Sequence, residues 1–423
     1  MKIAFFVNAF PMMSEAFIAN SAAALMDRGH SVDIYGIGNV DPTGLSVKAL
    51  EGHALDKRTV NLRWPKACIA RFTGLPVALG SIARKNGIVS LARLRPDIYR
   101  RSIGDLSAFY QASGFEAGGE YDILHCQFAT LAESVIKHRK AGFLKGNIVV
   151  NFRGYDITET VKQVGAHVYD HIWPEATSYI ANCDYFRRRA IALGCPEDRI
   201  GVIGSGIRLE NFPFSPANTI ESGPLKFLMV GRLIERKGFH IAIRAIAQFA
   251  RDSSKPIKVD IVGDGPMRQE LESLADDMGL AGAVNFHGAR DHAAIADLIR
   301  QTDIFLAPSM TSAIGGQDAP VNTLKEAMAM GRPVIGTHHG GIPELVIEGE
   351  TGALAAEGNV DSLCDAIKRL TANRSNWPAL THRARMKVEA MYALGSCTNQ
   401  LIRHYEDSLT WAASHPIPQI ETV

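Results

Sequence analysis

No stretch of this 423-residue chain approaches the roughly 20 consecutive apolar residues that a bilayer-spanning helix needs, so no helical membrane span is expected. The opening MKIAFFVNAFPMM carries one Lys and a short apolar run broken by Asn8. It lacks the longer core and cleavage site of a signal peptide and reads as a first buried strand. Cysteine is scarce and dispersed: Cys68, Cys126, Cys183, Cys195, Cys364 and Cys397 form no CxxC pair. That points away from a zinc site or disulfide framework and toward a reducing cytoplasm. An excess of either charge is also missing, with 45 Lys and Arg against 44 Asp and Glu, so no nucleic-acid partner is expected. There is no GxGxxG, which argues against a nicotinamide cofactor. No cofactor and no bound metal are expected.

What remains is a chain that is 46% hydrophobic and too long for one ordinary core, as expected of a soluble globular enzyme of two domains. IAFFVNAF, SEAFIANSAAALMDRG and HSVDIYGIG read as strand, amphipathic helix and strand, and YDILHCQF, GNIVVNFRG and TSYIANC continue the alternation. A proline-rich segment, NFPFSPANTIESGPLK, reads as a linker. A second series follows, with strands LKFLMVG, IKVDIVGDG, AVNFHG, DIFLAPS and RPVIGT alternating with helices. The expected fold class is α/β with two doubly wound Rossmann-like domains facing across a cleft. The domains are expected at 1–215 and 216–395, with 396–423 a C-terminal helix crossing back to the first domain and a frayed tail. One stretch departs from this regularity. Residues 57–101 hold eleven Lys and Arg against the single acid Asp97, interleaved with Trp64, Phe72 and aliphatics. Such a segment is either a set of packed helices with solvated Arg faces or a surface for an anionic membrane.

The chemistry concentrates in the second series. VGRLIERKGFH joins a strand to a helix, placing Arg232 and Lys237 near a helix N-terminus, where amides and dipole favour a diphosphate. Two fixed cations there also stabilise charge on a departing nucleoside diphosphate. In QDAPVNTLKEAMAMG, Asp318 and Glu326 lie eight residues apart, suited to accept hydrogen bonds from sugar hydroxyls. The amides from Ala319 and Pro320 through Val321, Asn322 and Thr323 are expected to face sugar and phosphates. Gly263 and Gly265 make a turn close to the nucleotide, and the base is expected against His287, Gly288 and Arg290. Adjacent His338 and His339 invite a metal reading that lacks a third ligand nearby. In the first series, Asp156 either faces the cleft or caps a turn. Ser14 and Glu15 either approach an acceptor or support the following helix by charge.

GRL followed by KG, then GDGP, APS, an acid before EAMAMGRPVI, and GGIPELV together resemble the retaining GT-B glycosyltransferases of family 4. FPMMSEAFI and NFRGYDIT resemble FPxxSETFI and SFHGYDIS of the bacterial exopolysaccharide and colanic-acid branch. The resemblance implies a metal-independent hexosyltransferase moving a sugar from a UDP- or GDP-sugar to a lipid-linked saccharide, cytoplasmic and peripheral to the inner face of the plasma membrane. It implies Arg232 and Lys237 on the donor phosphates, Glu326 on the ribose, and Arg153, Asp156 and Asp318 as catalytic. The alternatives are a small soluble acceptor or a silent scaffold that binds nucleotide sugar. Two departures stand out. Asp318 replaces the usual Glu, and Arg153 stands where FHG places a sugar-contacting His. Arg is no base at neutral pH, so Arg153 is expected to hold an anionic sugar or the β-phosphate.

Overall fold

The structure, a computed structural model, describes residues 1–12, 15–42, 52–99, 106–116, 119–216 and 223–415. Ser14, Arg100, Arg101, the middle of the expected linker (217–222) and the expected tail from 416 lie outside the described residues.

The first series forms a parallel sheet of β1 (Lys2–Val7), β2 (Ser31–Gly36), β3 (Thr59–Asn61), β4 (Gly119–Cys126), β5 (Leu144–Phe152), β6 (Ser178–Ala181) and β7 (Ile200–Val202). Their spatial order is β3-β2-β1-β4-β5-β6-β7. Both faces are covered, by α1 (Ala16–Met26), α2 (Cys68–Asn86), α3 (Ala132–Lys140), α4 (Glu159–Val164) and α5 (Asp184–Ala192) among others. Strands buried on both faces need continuous apolar runs, and β1 and β6 supply them: every residue from Ile3 to Val7 and from Ser178 to Ala181 is buried.

The second sheet runs β10-β9-β8-β11-β12-β13, from β8 (Leu225–Val230), β9 (Ile257–Val262), β10 (Val284–Phe286), β11 (Ile304–Leu306), β12 (Val334–Thr337) and β13 (Ala353–Ala355). Its helices include α6 (Phe239–Asp252), α7 (Arg268–Asp277), α8 (His292–Gln301), α9 (Asn322–Ala329), α10 (Val360–Ala372) and α11 (Trp377–Tyr392). Each sheet starts in its middle and reverses direction of growth, between β1 and β4 in one and between β8 and β11 in the other. Crevices open at such switch points beyond the strand carboxyl ends, and the conspicuous motifs occupy those loops.

The chain passes between the halves twice at one place. Ile207 N donates to Tyr392 O (2.8 Å) and Leu394 N to Ile207 O (2.9 Å). Ile207 and Phe212 are buried in the second core with Tyr392, so the chain has joined the second half by residue 207, a few residues ahead of the expected boundary near 215. The reason is packing: Ile207 joins the second half before the proline-rich segment begins, and Phe212 does so within it, ahead of its first proline. The last helix, α12 (Leu394–Ser414), returns to the first domain as expected. Leu401 and Tyr405 belong to the first core, Tyr405 OH lies 2.6 Å from His125 Nδ1, and His404 Nε2 and Ser408 Oγ meet Ser178 Oγ at 3.0 and 3.1 Å.

Tyr405 is fully buried, so Tyr405→Phe leaves the His125 nitrogen without its phenol partner at nearly constant volume. A loss of about 1 kcal/mol is expected in chemical denaturation; an unchanged midpoint would show that this bond does not anchor the returning helix.

Candidate active site

At the second switch point the loop after β8 faces the loop after β11. Arg232 is exposed and has no ion-pair partner among the described residues. Lys237 closes a short turn before α6, and its Nζ reaches Asp318 Oδ2 at 2.9 Å. The Gly-Asp-Gly turn after β9 docks beside it: Leu233 N donates to Asp264 O, and Gly263 N donates to Gly288 O, both at 2.9 Å. Gly265, which takes its N–H to Asp264 Oδ1 at 2.7 Å, and the loop expected to face a base are thereby brought to the cation loop. Within that loop His287 is turned back to the buried Asp260 (2.7 Å), leaving exposed Arg290 and the main chain toward the opening.

Asp318 is 9% exposed and gathers most of the site around it. Ser309 Oγ donates to Oδ2 (2.8 Å), and Arg236 Nε stands 3.1 Å from Oδ1. Burial pushes its carboxyl upward, but Lys237 and Arg236, with the bonds from Lys237 and Ser309, outweigh burial and hold it below the ordinary value. Its backbone is fixed as well. Asp318 N donates to His339 Nε2 (3.0 Å), so that nitrogen is the acceptor and Nδ1 carries the hydrogen that bonds Glu357. Gly341 N donates to Asp318 O (3.0 Å), and a Cβ on Gly340 (φ +52°) would fall 2.0 Å from that oxygen. His339 therefore positions the acid, and His338 is exposed beside it.

Helix α9 begins at Asn322, two residues beyond Pro320, with Val321 at its N-cap and no side-chain cap. Its first-turn amides, at Asn322 and Thr323, retain the anion-binding capacity of an uncapped helix start. Thr323 Oγ1 donates to Val230 O (3.4 Å), tying this turn to the end of β8. Glu326 is 4% exposed, and its Oε2 has no hydrogen-bond partner. Burial raises it from 4.5 to about 7, with neighbouring Lys325 opposing. Buried polar atoms are paired in all but a few cases, so a lone carboxylate oxygen here fits a ligand carrying hydroxyl donors.

Of the two readings for Asp156, the structure shows the turn and not the cleft: it is fully buried and accepts from the amides of Arg153, Gly154, Ile157 and Ala129, which makes it a turn organiser rather than a catalytic group. Arg153, expected to hold an anionic sugar or the β-phosphate, is engaged with protein groups. Its Nε donates to Gln127 O (3.0 Å), Nη2 to Gln127 Oε1 (2.7 Å) and Nη1 to Ser205 Oγ (3.1 Å), and its guanidinium lies 4.5 Å from the Phe17 ring centroid. It lines a small cavity with His125, Asn151, Gly204 and Leu401, under the crossing point of the chain. A long side chain with several donors thereby ties Gln127 to the crossing segment. Glu15 sits at the N-cap position of α1 without a side-chain capping bond; its Oε2 is buried and unpaired, and burial, opposed by Arg153, raises it to about 7.

The halves touch through polar contacts no local motif announces. Lys325 Nζ donates to Ser205 O (2.9 Å), and Ala319 packs against the first core. Glu344 of GGIPELV accepts from Asp184 N (2.9 Å) and Tyr185 N (2.7 Å), capping α5 from the opposite domain. Arg236 pairs with Glu159 of α4. Lys325, Glu344, Arg236 and Glu159 are functional neighbours that the sequence hardly marks: the basic pair Arg236–Lys237 is the one available signal, and Glu159 has none.

Two parallel-sheet domains meeting at a cleft, with an acid, cations and an uncapped helix start on one side, define a GT-B glycosyltransferase. The Anabaena Alr3699/HepE structure in complex with UDP and glucose has the same fold, with a TM-score of 0.69 at 20% identity over 96% of this chain and all of that one. The family described as glycosyl transferases group 1 matches residues 212–390. The putative colanic acid biosynthesis glycosyltransferase WcaL of Escherichia coli (strain K12) is 30% identical over 400 residues, covering 92% of this chain and 95% of its own. The amylovoran biosynthesis glycosyltransferase AmsK of Erwinia amylovora is 28% identical over 405 residues, 93% and 96% of the two chains. The chain belongs to the group 1 glycosyl transferases.

Because its folded pKa is raised, Glu326 contributes stability that is complete below about pH 4.5 and lost as pH rises through about 7. Glu326→Gln cannot ionise. Between these pH values the wild type should lose about 1–3 kcal/mol relative to the variant; parallel stability curves would show that this carboxyl is not burdened by burial.

Proposed function

We propose that this chain transfers a hexosyl group from a nucleotide sugar to a lipid-linked saccharide at the cytoplasmic face of a membrane, during assembly of an exopolysaccharide. The observation that carries the donor half is the buried, unpartnered Glu326 oxygen beside the uncapped start of α9 and the Arg232–Lys237 loop. Ribose hydroxyls donate to Glu326. The diphosphate lies on the α9 amides and the two cations, and Asp318 addresses the sugar. The names of WcaL and AmsK, both from exopolysaccharide biosynthesis, and the UDP and glucose of the Anabaena structure support this reading.

Chemistry follows from what the site offers. As the glycosidic bond to phosphate breaks, negative charge grows on the departing diphosphate, and Arg232, Lys237 and the helix amides stabilise it without a metal. Neither Arg153 nor Asp156 is placed to take the acceptor proton. As the resemblance to the retaining family 4 enzymes implies, the leaving phosphate oxygen receives it on the same face from which the acceptor hydroxyl attacks, and configuration is retained. Lys237→Ala should lower kcat/KM for the nucleotide sugar about 10²-fold. Turnover of radiolabelled nucleotide sugars with membrane lipid extract measures this, and unaltered transfer by the variant would refute the assignment.

The acceptor half rests on the basic stretch. Helix α2 buries only Ala78 and Ile82 fully, while Ile69, Phe72 and Val77, followed by Ile88 and Val89, are each 57–80% exposed. Exposed Lys66, Arg84 and Lys85 accompany them. Large apolar side chains held in water beside cations suit insertion into an anionic bilayer surface. A soluble acceptor gives this face no purpose. Flotation with phosphatidylglycerol-containing vesicles should show salt-sensitive binding, absent with phosphatidylcholine alone and abolished by Ile69→Asp with Phe72→Asp. Equal behaviour of variant and wild type would remove the membrane from the proposal.

A further inference from the structure

Arg236 joins the donor-side acid to the opposite domain. Its Nη1 lies 2.5 Å from Glu159 Oε1 and its Nε 3.1 Å from Asp318 Oδ1, with side-chain exposures of 19, 22 and 11% for Arg236, Glu159 and Asp318. The contacts differ in kind. Nη1 makes a hydrogen bond to Glu159, whereas the buried Nε–H points off the line to Asp318 and bonds to nothing. Arg236 is also fixed by its main chain, whose carbonyl accepts from Met310 N (2.9 Å). Gly316 closes over the pair: a Cβ there would stand 2.2 Å from Glu159 Oε1 and 2.9 Å from Arg236 Nη1.

Arg236, Lys237, Glu159 and Asp318 form a neutral quartet. When a diphosphate engages Lys237, Asp318 loses the ammonium that now neutralises it. A buried carboxylate deprived of its cation takes up a proton or destabilises its surroundings. The remaining cation is Arg236, whose unused Nε–H needs only a small turn of Asp318 to become a hydrogen bond. We propose that Arg236 is a positioning residue that takes over Asp318 when the donor diphosphate captures Lys237, with Glu159 making the exchange depend on contact between the domains. This rests on the reading of Lys237 and Asp318 as donor-site groups. Asp318 then stays ionised and oriented toward the sugar while Lys237 serves the phosphate, and the acid is correctly held only when the cleft is assembled.

Titration calorimetry with UDP and with GDP, in buffers of different ionisation enthalpy, tests the exchange. Arg236→Gln should weaken the tighter-binding nucleotide about tenfold and make binding take up a proton. Adding Asp318→Asn should restore the affinity and abolish the uptake, because no bare carboxylate is then left. Glu159→Gln should keep nucleotide affinity within about twofold of wild type while lowering kcat for sugar transfer. The proposal is overturned if Arg236→Gln binds nucleotide as wild type does, or if its loss persists with Asp318→Asn, as it would for mere structural damage. Undiminished nucleotide binding by Lys237→Ala would instead overturn the donor reading beneath it.

Discussion

A carboxylate as buried as Asp318 must be neutralised, and much of the second switch point is arranged to do so. Lys237 and Arg236 supply charge, Ser309 a hydroxyl, and His339 receives the backbone amide. Each comes from a different loop: the turn after β8, the end of β11, and the loop after β12. Holding one acid therefore brings three strand ends into register. It also explains why the adjacent histidines do not act alike. His339 spends both nitrogens on Asp318 and Glu357, whereas His338 is turned to solvent.

The site is polarised between its halves. The second domain holds cations, helix amides and two acids of opposite condition: Asp318 kept ionised by its partners and Glu326 pushed toward neutrality by burial. Groups with environments that push them apart in this way are the usual mark of a working site. The first domain contributes few free groups. Its most basic inward residue, Arg153, is consumed by Gln127 and Ser205, and burial lowers it to about 10.

The fold was legible because buried parallel strands leave uninterrupted apolar runs, and both series of runs appear as strands in the sheets. The loops that meet at the second switch point were legible because their parts are contiguous: GRLIERKG and DAPVNTLKE each lie in one turn and one helix start. What escaped was contact between distant segments. Glu344 caps α5 across 160 residues, and Glu159 meets Arg236 across 77; neither pairing leaves any spacing or periodicity to read. The surroundings of Arg153 and Asp156 were hidden for a related reason. A motif assigns a residue to a position, but the direction of its side chain is set by whichever partners are nearest, here backbone amides for one and the crossing segment for the other.

The doubled passage at Ile207 and Ala393 bears on how the polypeptide can be divided. Because α12 belongs by sequence to the second half and by packing to the first, neither half is complete as a contiguous piece. A cut in the proline-rich segment between Phe214 and Leu225 yields a first fragment lacking the helix that covers β5 and β6, and a second fragment carrying that helix with no surface to receive it. The two pieces remain mutually dependent through Tyr405, His404 and Ser408, so the molecule behaves toward proteolytic nicking as an interlocked pair rather than as two beads on a string.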